Sequence, residues 1–413
     1  MSADDAVEAI ERAARILREG GLVAFPTETV YGLGADASND QAVARVFAAK
    51  GRPSGHPLIV HIAAAEQMGH WARDIPPAAW CLAKAFWPGP LTLILKRLPG
   101  VGEAAAGGQD TIGLRVPSHP MAQALLEVFG RGIAAPSANR FGRISPTQAA
   151  HVLADFRLKG EPVLVGTEAL AEIDAVLDGG ASDVGIESTI VDLTRGLPVI
   201  LRPGRVAGEL VRRALADAGI EPDDDVAGLG DAPAAPGTLA SHYAPRAAMK
   251  LIGRQEFTSE ITRHRGQRVA VLALEVSVPR VPASVTRILP ASAMLYARGL
   301  YASLRELDAL GADLILVETP PLGGHWPAVH DRLNRAAHEH ASGSRAERHA
   351  SAWKGRKPVT AAGPVAASAD AGEAAGLMST DPADETDLVA VPDSVNGTVS
   401  PQDMPGKRGA RAT

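Results

Sequence analysis

The sequence predicts a mixed α/β protein with two domains joined by a linker, and three observations support this fold class. Short apolar runs bounded by Gly and Pro alternate with helical patterns up to about residue 210. Residues 220–240 then lose this periodicity and are rich in Pro, Gly, Ala and Asp. A second α/β alternation follows the linker. We therefore expect a mixed twisted sheet in the first domain and a small three-layer domain after it.

The elements of the first domain follow from apolar spacing and from Gly and Pro. Apolar residues recur at helical spacing from Val7 to Leu17, which predicts a helix ending before Gly20. The run from Leu22 to Phe25 predicts the first buried strand. Further helices are predicted at residues 41–50, 77–86, 119–129, 147–156 and 207–218. Further strands are predicted at residues 57–62, 91–96, 112–116, 132–135, 163–165, 188–193 and 198–202.

The second domain is shorter, and the chain after it changes composition. Strands are predicted at residues 249–252, 268–274 and 313–318, and helices near residues 255–263, 293–310 and 327–339. After Trp353 the chain contains no aromatic residue and is dominated by small and polar residues. Such a segment buries too little apolar surface to fold, which predicts disorder. The predicted organisation is a first domain at 1–210, a linker at 211–247, a second domain at 248–345 and a disordered tail at 346–413.

Composition limits the possible functions. The 413 residues exceed one average domain, and 41 basic against 47 acidic residues give a net charge of −6. This balance argues against binding nucleic acid through bulk charge, and 4% aromatics argue against an extended base-stacking platform. The single cysteine, Cys81, excludes an internal disulfide framework. The absence of a signal peptide or membrane-length apolar run adds to the expectation of a cytoplasmic protein.

Common nucleotide and metal motifs are absent or weak. The sequence has no phosphate-binding P-loop, no G-x-S-x-G elbow and no H-E-x-x-H zinc motif. The pair Gly32 and Gly34 fits a relaxed dinucleotide fingerprint, but six residues separate it from the preceding strand, and this favours a tight turn. An odd separation of His56 and His61 places them on opposite faces of a predicted strand, which disfavours a shared zinc ion.

Polar side chains repeatedly flank the predicted apolar strands and helices. Ligands collect at strand ends in open α/β sheets, and the arginine fork matches phosphate and carboxylate oxygens. Hydroxyl groups can donate hydrogen bonds to the same oxygens. The sequence therefore predicts a basic, hydroxyl-lined cavity. Its candidate residues are Thr27, Thr29, Lys50, Arg52, Thr111, Arg115, Ser137, Ser188 and Arg202.

Eight motifs occur in an order that resembles the YrdC/Sua5 family. They are FPTETVYGLG, AKGRP, HPLIVH, WPGPLTLIL, TIGLRVPSHP, AAPSANRFGRISPT, GIESTIVD and LRPG. With the following α/β domain, the chain resembles the longer, Sua5-type threonylcarbamoyl-AMP synthases. The resemblance implies a YrdC-like mixed twisted sheet with helices around a basic cavity, and a smaller Rossmann-like second domain. The tail lies outside the resemblance.

The resemblance also implies a reaction. L-Threonine, bicarbonate or carbon dioxide, and ATP would give threonylcarbamoyl-adenylate and pyrophosphate, for the threonylcarbamoyladenosine modification of tRNA. Downstream tRNA threonylcarbamoyl-transfer proteins would use the product, tRNA would bind at most transiently, and no membrane is involved. Mg²⁺ would accompany ATP, held chiefly through phosphates and waters, because no carboxylate cluster is evident in the sequence.

Site residues are assigned by similarity. L-Threonine would be held by Thr29, His61, Arg115 and Ser188. ATP would be bound by Arg52, His56, Thr111, Ala135, Ser137, Ser145, Arg202 and Tyr243. Catalytic charge stabilisation would come from Lys50, Arg52 and Arg115, with Lys50 and Thr27 near phosphate or carbonate. No residue is assigned to a metal.

The linker motif PGTLASHYAP predicts a lid over the ATP end of the cavity, with His242 or Tyr243 reaching the ligand. A spacer with a turn at Pro236 and Gly237 is the alternative. This linker is less basic than is usual in the family, which leaves its contact with phosphate open.

Two other functions remain to be weighed. The same basic concavity could be an RNA-binding module. The other possible function is carbamoyl transfer in hydrogenase maturation, but the chain lacks the acylphosphatase and zinc-finger segments expected of such a protein.

Overall fold

The computed structural model describes residues 3–160, 171–220, 232–274 and 285–341. The helices of the first domain are α1 (Ala3–Arg18), α2 (Asp40–Lys50), α3 (Pro77–Phe86), α4 (Pro120–Phe129), α5 (Ala149–Leu153) and α6 (Gly208–Asp217). Its strands are β1 (Val23–Phe25), β2 (Gly32–Asp36), β3 (Ile59–His61), β4 (Leu91–Lys96), β5 (Thr111–Arg115), β6 (Ile133–Ala134), β7 (Phe156–Leu158), β8 (Ala171–Ile173), β9 (Ala175–Val176), β10 (Thr189–Asp192) and β11 (Val199–Arg202).

Most of these strands belong to one mixed sheet. Among the described residues it has nine strands in the order β11-β10-β4-β5-β3-β6-β2-β1-β9. The pairs β1–β9, β3–β5 and β4–β10 are parallel, and the other neighbours are antiparallel. The short strands β7 and β8 pair separately. The mixed sheet predicted from the sequence is confirmed.

The two faces of this sheet are covered differently. On one face, α2, α3 and α6 pack against the sheet through residues such as Val46, Leu82 and Leu215. On the other face, α1 and α4 pack against β1 and β6, with Leu17 and Phe129 in the contact. This second face is not fully covered by helices, and the part beside β3 and β5 borders a cavity.

The second domain is a parallel sheet with helices on both faces. Its strands are β12 (Ala248–Ile252), β13 (Val269–Leu274), β14 (Val285–Leu289) and β15 (Leu314–Glu318), in the order β12-β15-β13-β14. Its helices are α7 (Phe257–Arg263), α8 (Ala293–Ala309) and α9 (Pro327–Ala341). Phe257 of α7 lies on one face, and α8 and α9 cover the other. The predicted three-layer arrangement is confirmed.

Helices α8 and α9 also pack against the first domain. Tyr301 and Leu304 of α8 belong to the same apolar cluster as Val30, Ile144 and Ile186 of the first domain. These three residues lie beside the threonine-rich loop after β1, the loop before α5 and the loop before β10. The second domain therefore contacts the loops that form the cavity.

Element bounds agree best where Pro or a long apolar run fixes them. Helix α3 and strand β4 have the predicted bounds of 77–86 and 91–96. The helix predicted at 147–156 is shorter because the chain enters β7 at Phe156. Strands β2, β7, β8, β9 and β14 were not predicted. The strand predicted at 163–165 lies outside the described residues.

One predicted domain boundary requires correction. Helix α6 crosses residue 210, and its buried residues Val211 and Leu215 belong to the core of the first domain. The first domain therefore continues through α6, and the linker begins after it. The predicted tail, 346–413, lies outside the described residues. In the described part of the chain, no helix combines the length and apolar character needed to cross a membrane.

Candidate active site

A nearly filled cavity lies on the less covered face of the sheet. Ile59 and His61, two residues apart on β3, share this face and both border the cavity. Its free volume is about 50 Å³. The lining residues are Thr27, Thr29, Val30, Gly32, Arg52, Ile59, His61, Arg115, Ala135, Pro136, Ser137, Glu187, Ser188, Arg202, Pro236, Gly237, His242 and Tyr243.

Arg115, the last residue of β5, is buried and held on three sides. Its Nε donates to the Gly89 carbonyl at 3.2 Å, and its Nη1 donates to Thr29 Oγ1 at 2.9 Å. Its Nη2 lies 2.7 Å from Glu28 Oε1 as an ion pair that is not aligned as a hydrogen bond. A guanidinium carries five N–H donors, so donors on both terminal nitrogens remain for a substrate carboxylate. The predicted clamp is compatible with this geometry.

His61 is a buried, uncharged imidazole at neutral pH. Burial, followed by the charge of Arg115, lowers its pKa from 6.5 to about 3. Its ring meets the edge of Phe25, with centroids 6.0 Å apart. Because the ring stays neutral, it adds a hydrogen-bonding group beside Arg115 without adding repulsion.

Ser188 and Arg202 form the wall opposite β3. Ser188 Oγ lies 2.8 Å from Thr92 Oγ1, and Arg202 Nη2 donates to Ser188 Oγ at 3.1 Å. Arg202 also donates to the Ser188 carbonyl at 2.7 Å and to the Pro236 carbonyl at 2.7 Å. One guanidinium thus links the threonine-site serine to the beginning of the linker motif.

Arg52, Ala135 and Ser137 complete the predicted ATP wall on the other side. The buried Arg52 donates to the Pro57 carbonyl at 2.9 Å and stacks on Phe141 at 5.5 Å. Burial lowers its pKa from 12.5 to about 10, so it remains charged at neutral pH. Ala135 donates its backbone N–H to Ile59 at 2.9 Å, which fixes this wall to β3.

Four predicted site residues do not line the cavity. Lys50 donates to the carbonyls of Ser137, at 2.5 Å, and Asn139, and it borders a separate cleft of about 730 Å³ instead. Its catalytic assignment is therefore not supported by direct contact with the cavity. Burial, followed by the charge of Arg52, lowers the pKa of Lys50 well below its usual range.

The other three predicted site residues lie outside the cavity lining, each for a different reason. Thr111 lies at the end of β5 opposite Arg115 and pairs with Lys96, so it is remote from the cavity. Ser145 is fully buried and donates to Glu187 Oε1 at 2.6 Å, behind the cavity wall. His56 packs edge-on against Phe141, with centroids 5.5 Å apart, outside the lining.

The linker motif closes the cavity in the described structure. We call residues 236–243 the lid. The His242 and Tyr243 rings lie edge to face at 4.2 Å, and Tyr243 stacks on Tyr301 of α8 at 5.7 Å. Tyr243 has a positive φ of 64°, so the chain turns sharply at this residue.

Backbone contacts anchor both ends of the lid. At its start, the Gln109 amide exchanges two hydrogen bonds with the backbone of Ala234, at 2.8 and 3.2 Å. At its end, Ala244 donates to the Gly142 carbonyl at 2.9 Å. The spacer interpretation does not account for these anchors or for the buried rings.

Several buried polar atoms of the cavity lining have no hydrogen-bond partner among the described residues. In the described part of the chain, five buried atoms of lining residues have no hydrogen-bond partner: Arg52 Nε, His61 Nδ1, Arg115 Nη2, His242 Nδ1 and Tyr243 Oη. Arg115 Nη2 keeps its ion pair with Glu28, and each unsatisfied buried polar group costs about 1–3 kcal/mol. A polar ligand that paired with them would remove this cost.

Glu187 is a charged lining residue that the site assignments did not include. It is a buried carboxylate directly before Ser188 in the motif GIESTIVD. Its partners lie far away in the chain, at Ser145, Tyr301 and Arg332. The available signal was a carboxylate directly before the predicted strand at residues 188–193.

The described residues do not offer a dedicated site for Mg²⁺. Within the described ranges, no group of three or more His, Cys, Asp or Glu side chains is arranged to hold a metal ion. The carboxylates nearest the cavity, Glu28 and Glu187, already face arginines. Mg²⁺ held through ATP phosphates stays a prediction.

Comparison with known proteins decides the family. Residues 15–204 match the Sua5_yciO_yrdC family, described as "Telomere recombination", and residues 206–338 match the Sua5_C family, described as "Threonylcarbamoyl-AMP synthase, C-terminal domain". The chain is 41% identical over 337 residues to the threonylcarbamoyl-AMP synthase of Pyrococcus abyssi, covering 79% of this chain and 94% of the relative. The chain belongs to the Sua5 family. The predicted resemblance is confirmed.

A second relative and a solved structure match this chain to a similar extent. The threonylcarbamoyl-AMP synthase of Bacillus subtilis is 39% identical over 335 residues, covering 79% of this chain and 92% of the relative. A crystal structure of P. abyssi Sua5 complexed with L-threonine matches with a TM-score of 0.70 and 41% identity, covering 80% of this chain and 94% of that chain. The fold described above is therefore the Sua5 fold.

Proposed function

We propose that this chain is a threonylcarbamoyl-AMP synthase, which forms threonylcarbamoyl-adenylate and pyrophosphate from L-threonine, bicarbonate or carbon dioxide, and ATP. The observation that carries the proposal is the enclosed cavity at which Arg52, Arg115 and Arg202 meet hydroxyl groups and unsatisfied polar atoms. The Sua5 relatives named for this activity, one of them crystallised with L-threonine, support the assignment.

The chemistry needs positioning and charge stabilisation more than a nucleophilic side chain. The threonine amine attacks carbon dioxide and loses a proton to give a carbamate. A carbamate oxygen then attacks the α-phosphate of ATP, and the bond to the β-phosphate bridging oxygen breaks to release pyrophosphate. The carbamate and ATP are both anionic, so their approach is unfavourable in the absence of fixed positive charge. Buried arginines provide that charge without reorganisation.

The two sides of the cavity suit different parts of the substrates. Arg115, Thr29 and neutral His61 would hold threonine, with the carboxylate at the remaining donors of Arg115. Ser188 would complete this side. Arg52 and Arg202 would face the ATP phosphates, with Ala135 and Ser137 beside the nucleoside. When bound with ATP, Mg²⁺ would neutralise part of the phosphate charge.

The lid must open before substrates can enter. A free volume of about 50 Å³ is far below the roughly 300–1,000 Å³ of typical ligand pockets. The described structure is thus a closed state, and we propose that the lid closes again over bound ATP. Exclusion of water would protect the labile mixed anhydride from hydrolysis.

Burial of the arginines also bears on the RNA-binding alternative. Arg52, Arg115 and Arg202 are 8%, 4% and 2% exposed. Side chains enclosed in this way cannot reach the phosphates on the outside of a folded RNA. This favours small anionic substrates, and transfer proteins acting on tRNA remain the predicted downstream partners, with the cytoplasm as the predicted compartment.

A pyrophosphate-release assay with each substrate omitted in turn tests the proposal. We expect pyrophosphate from ATP only when L-threonine and bicarbonate are both present, because the attacking carbamate needs both. Equal release without threonine would contradict the synthase assignment. RNA binding with no substrate-dependent release would favour the alternative.

A further inference from the structure

Arg332 is a buried cation that the second domain places against the active site. It lies on α9, and its side chain is fully excluded from solvent. Asp331, its neighbour, pairs with Nη1 at 2.5 Å. The remaining guanidinium faces the first domain, across the contact between α8, α9 and the cavity loops.

The first contact of Arg332 is with Glu187, the residue before Ser188. Arg332 Nε donates to Glu187 Oε2 at 2.8 Å, and Tyr301 Oη donates to the same oxygen at 2.9 Å. Ser145 donates to the other oxygen at 2.6 Å. Burial opposes ionisation of Glu187, but the charges of Arg332 and Arg202 and the hydrogen bonds from Ser145 and Arg332 together outweigh it and lower its pKa. The backbone at Glu187 and Ser188 is thereby fixed from both domains.

The second contact of Arg332 is with the lid. Its guanidinium lies 5.2 Å from the centre of the Tyr243 ring, and that ring stacks on Tyr301. The same side chain therefore touches the residue next to Ser188 and the aromatic ring that closes the cavity. The substrate-binding residues assigned above lie in the first domain and the lid, so substrate contact does not explain why Arg332 is buried here.

Domain attachment alone does not require this buried charge. Arg305 of α8 already joins the domains, because it donates to the carbonyls of Ile144 and His151 and pairs with Asp155 at 2.6 Å. A buried ion pair is in general a weak source of stability, since desolvation of both charges offsets their attraction. Arg332 bonds Glu187 through Nε while its guanidinium lies beside the Tyr243 ring, and this double contact suits a role in positioning.

We infer that Arg332 is a positioning residue of the active site, through which the second domain sets Ser188 for threonine and supports the closed lid. The inference rests on the proposed function for the identity of the ligand. It assigns the second domain a part in substrate binding, although Arg332 itself touches no substrate.

The test measures L-threonine binding to the full chain by calorimetry, and unfolding by thermal melting, for R332M, E187Q and the double variant. Each single variant should weaken threonine binding about tenfold or more, because each breaks the contact between Arg332 and Glu187 that fixes Ser188. The double variant should bind threonine no more weakly than the worse single variant, since the two residues act through one contact.

The decisive measurement is whether the double variant regains melting temperature, threonine affinity or both. Removing both charges should restore much of the melting temperature lost in the single variants, because neither charge of the Glu187–Arg332 pair then stays buried without the other. Threonine affinity should not recover, since the apolar and amide side chains cannot rebuild the hydrogen-bonded contact between Arg332 and Glu187. Recovery of both quantities together would show that the pair is merely structural and overturn the inference.

Arg305→Met is the matched control for loosened domain contact. It should lower the melting temperature but leave threonine affinity within about twofold of the unmodified chain, which is less than 0.5 kcal/mol. An equal loss of affinity in R305M and R332M would overturn the inference.

Two further readouts complete the test. ATP plus threonine should protect the lid from proteolysis in the unmodified chain and in R305M, but not in R332M. Protection of R332M would overturn the link to the lid. Binding of threonine with no pyrophosphate release would count against the proposed function and leave the positioning test intact, whereas no threonine binding at all would overturn both.

Discussion

At the scale of single residues, the environment of Arg115 determines what its substitution should do. Arg115→Ala should raise the threonine concentration needed for half-maximal pyrophosphate release, because a charge-assisted contact worth about 1.5–3 kcal/mol is lost. Arg115→Lys should not restore it fully, since an ammonium group cannot contact Gly89, Thr29, Glu28 and a carboxylate with the same planar fork.

Steady-state kinetics with threonine and ATP varied separately distinguish the role of Arg115. Glu28→Gln is the matched control, because it removes the charge paired with Arg115 and keeps the side chain's shape. Unchanged threonine dependence together with weaker ATP dependence in Arg115→Ala would reassign Arg115 to the nucleotide.

His61 makes stability depend on pH in a defined window. Its pKa is about 3 in the folded chain and 6.5 as an ordinary histidine. Between these values the unfolded chain takes up a proton that the folded chain does not, so stability is lost as pH falls from about 6.5 towards 3. The loss is on the order of 1.4 kcal/mol per pH unit within the window.

Thermal melting at pH 7 and pH 5 tests this linkage. Because glutamine does not titrate, His61→Gln should show a smaller fall in melting temperature between the two pH values than the unmodified chain. The exposed His70→Gln is the control and should fall as the unmodified chain does. An identical fall in both variants would contradict a buried, neutral His61.

At this scale the sequence predicted residue types better than their contacts. Arg115, Thr29, His61 and Ser188 come together as expected, because each belongs to a motif at the edge of a buried strand. Ser145 belongs to such a motif too, yet its hydroxyl bonds to Glu187. The orientation of a side chain depends on partners distant in the chain, and no local pattern identifies them.

At the scale of elements, the lid depends on a glycine. Gly237 has a φ of +76°, and a Cβ atom placed there would lie 2.1 Å from Tyr243 Oη. Gly237→Ala should therefore keep the lid from closing, because the methyl group and the tyrosine cannot occupy the same space. We expect weaker ATP binding and more hydrolysis of the adenylate, measured by calorimetry and by AMP formation.

Gly237→Ala should be compared with the double variant His242→Ala/Tyr243→Ala and with a chain of residues 1–220. Both should also lose ligand-dependent protection of the cavity, and residues 1–220 should still fold because α6 then stays intact. Gly219→Ala, at another glycine with positive φ and no close neighbour, is the control for backbone strain. Normal ATP affinity in Gly237→Ala would show that the lid does not cover the nucleotide.

Close packing around two glycines explains why β2 was not predicted. Gly32 and Gly34 were interpreted as a turn, but both lie within a buried strand. A Cβ at Gly34 would lie 2.7 Å from Ile133 and 2.8 Å from Phe25, so these glycines mark close packing between neighbouring strands. Helix α3 was predicted well because Pro77 and its apolar spacing act locally.

At the scale of the whole molecule, the tail is predicted to be dispensable. Its composition lacks the apolar residues needed for a core. Removal of residues 346–413 should therefore leave the melting temperature and the rate of pyrophosphate release nearly unchanged. Thermal melting and the three-substrate assay on the shortened chain check this, and a large fall in either quantity would show that the tail contacts the folded part.

The two anchors of the lid have a consequence for how fast the enzyme can cycle. Because Ala234 and Ala244 remain tied to the first domain, opening releases only a short loop with fixed ends. The chain entropy gained by such a loop is small, and it changes little with loop length. Opening and closing can then occur on the microsecond-to-millisecond timescale of other enzyme loops, while the two domains stay docked. Substrate entry would in that case be limited by a local flap and not by separation of the domains.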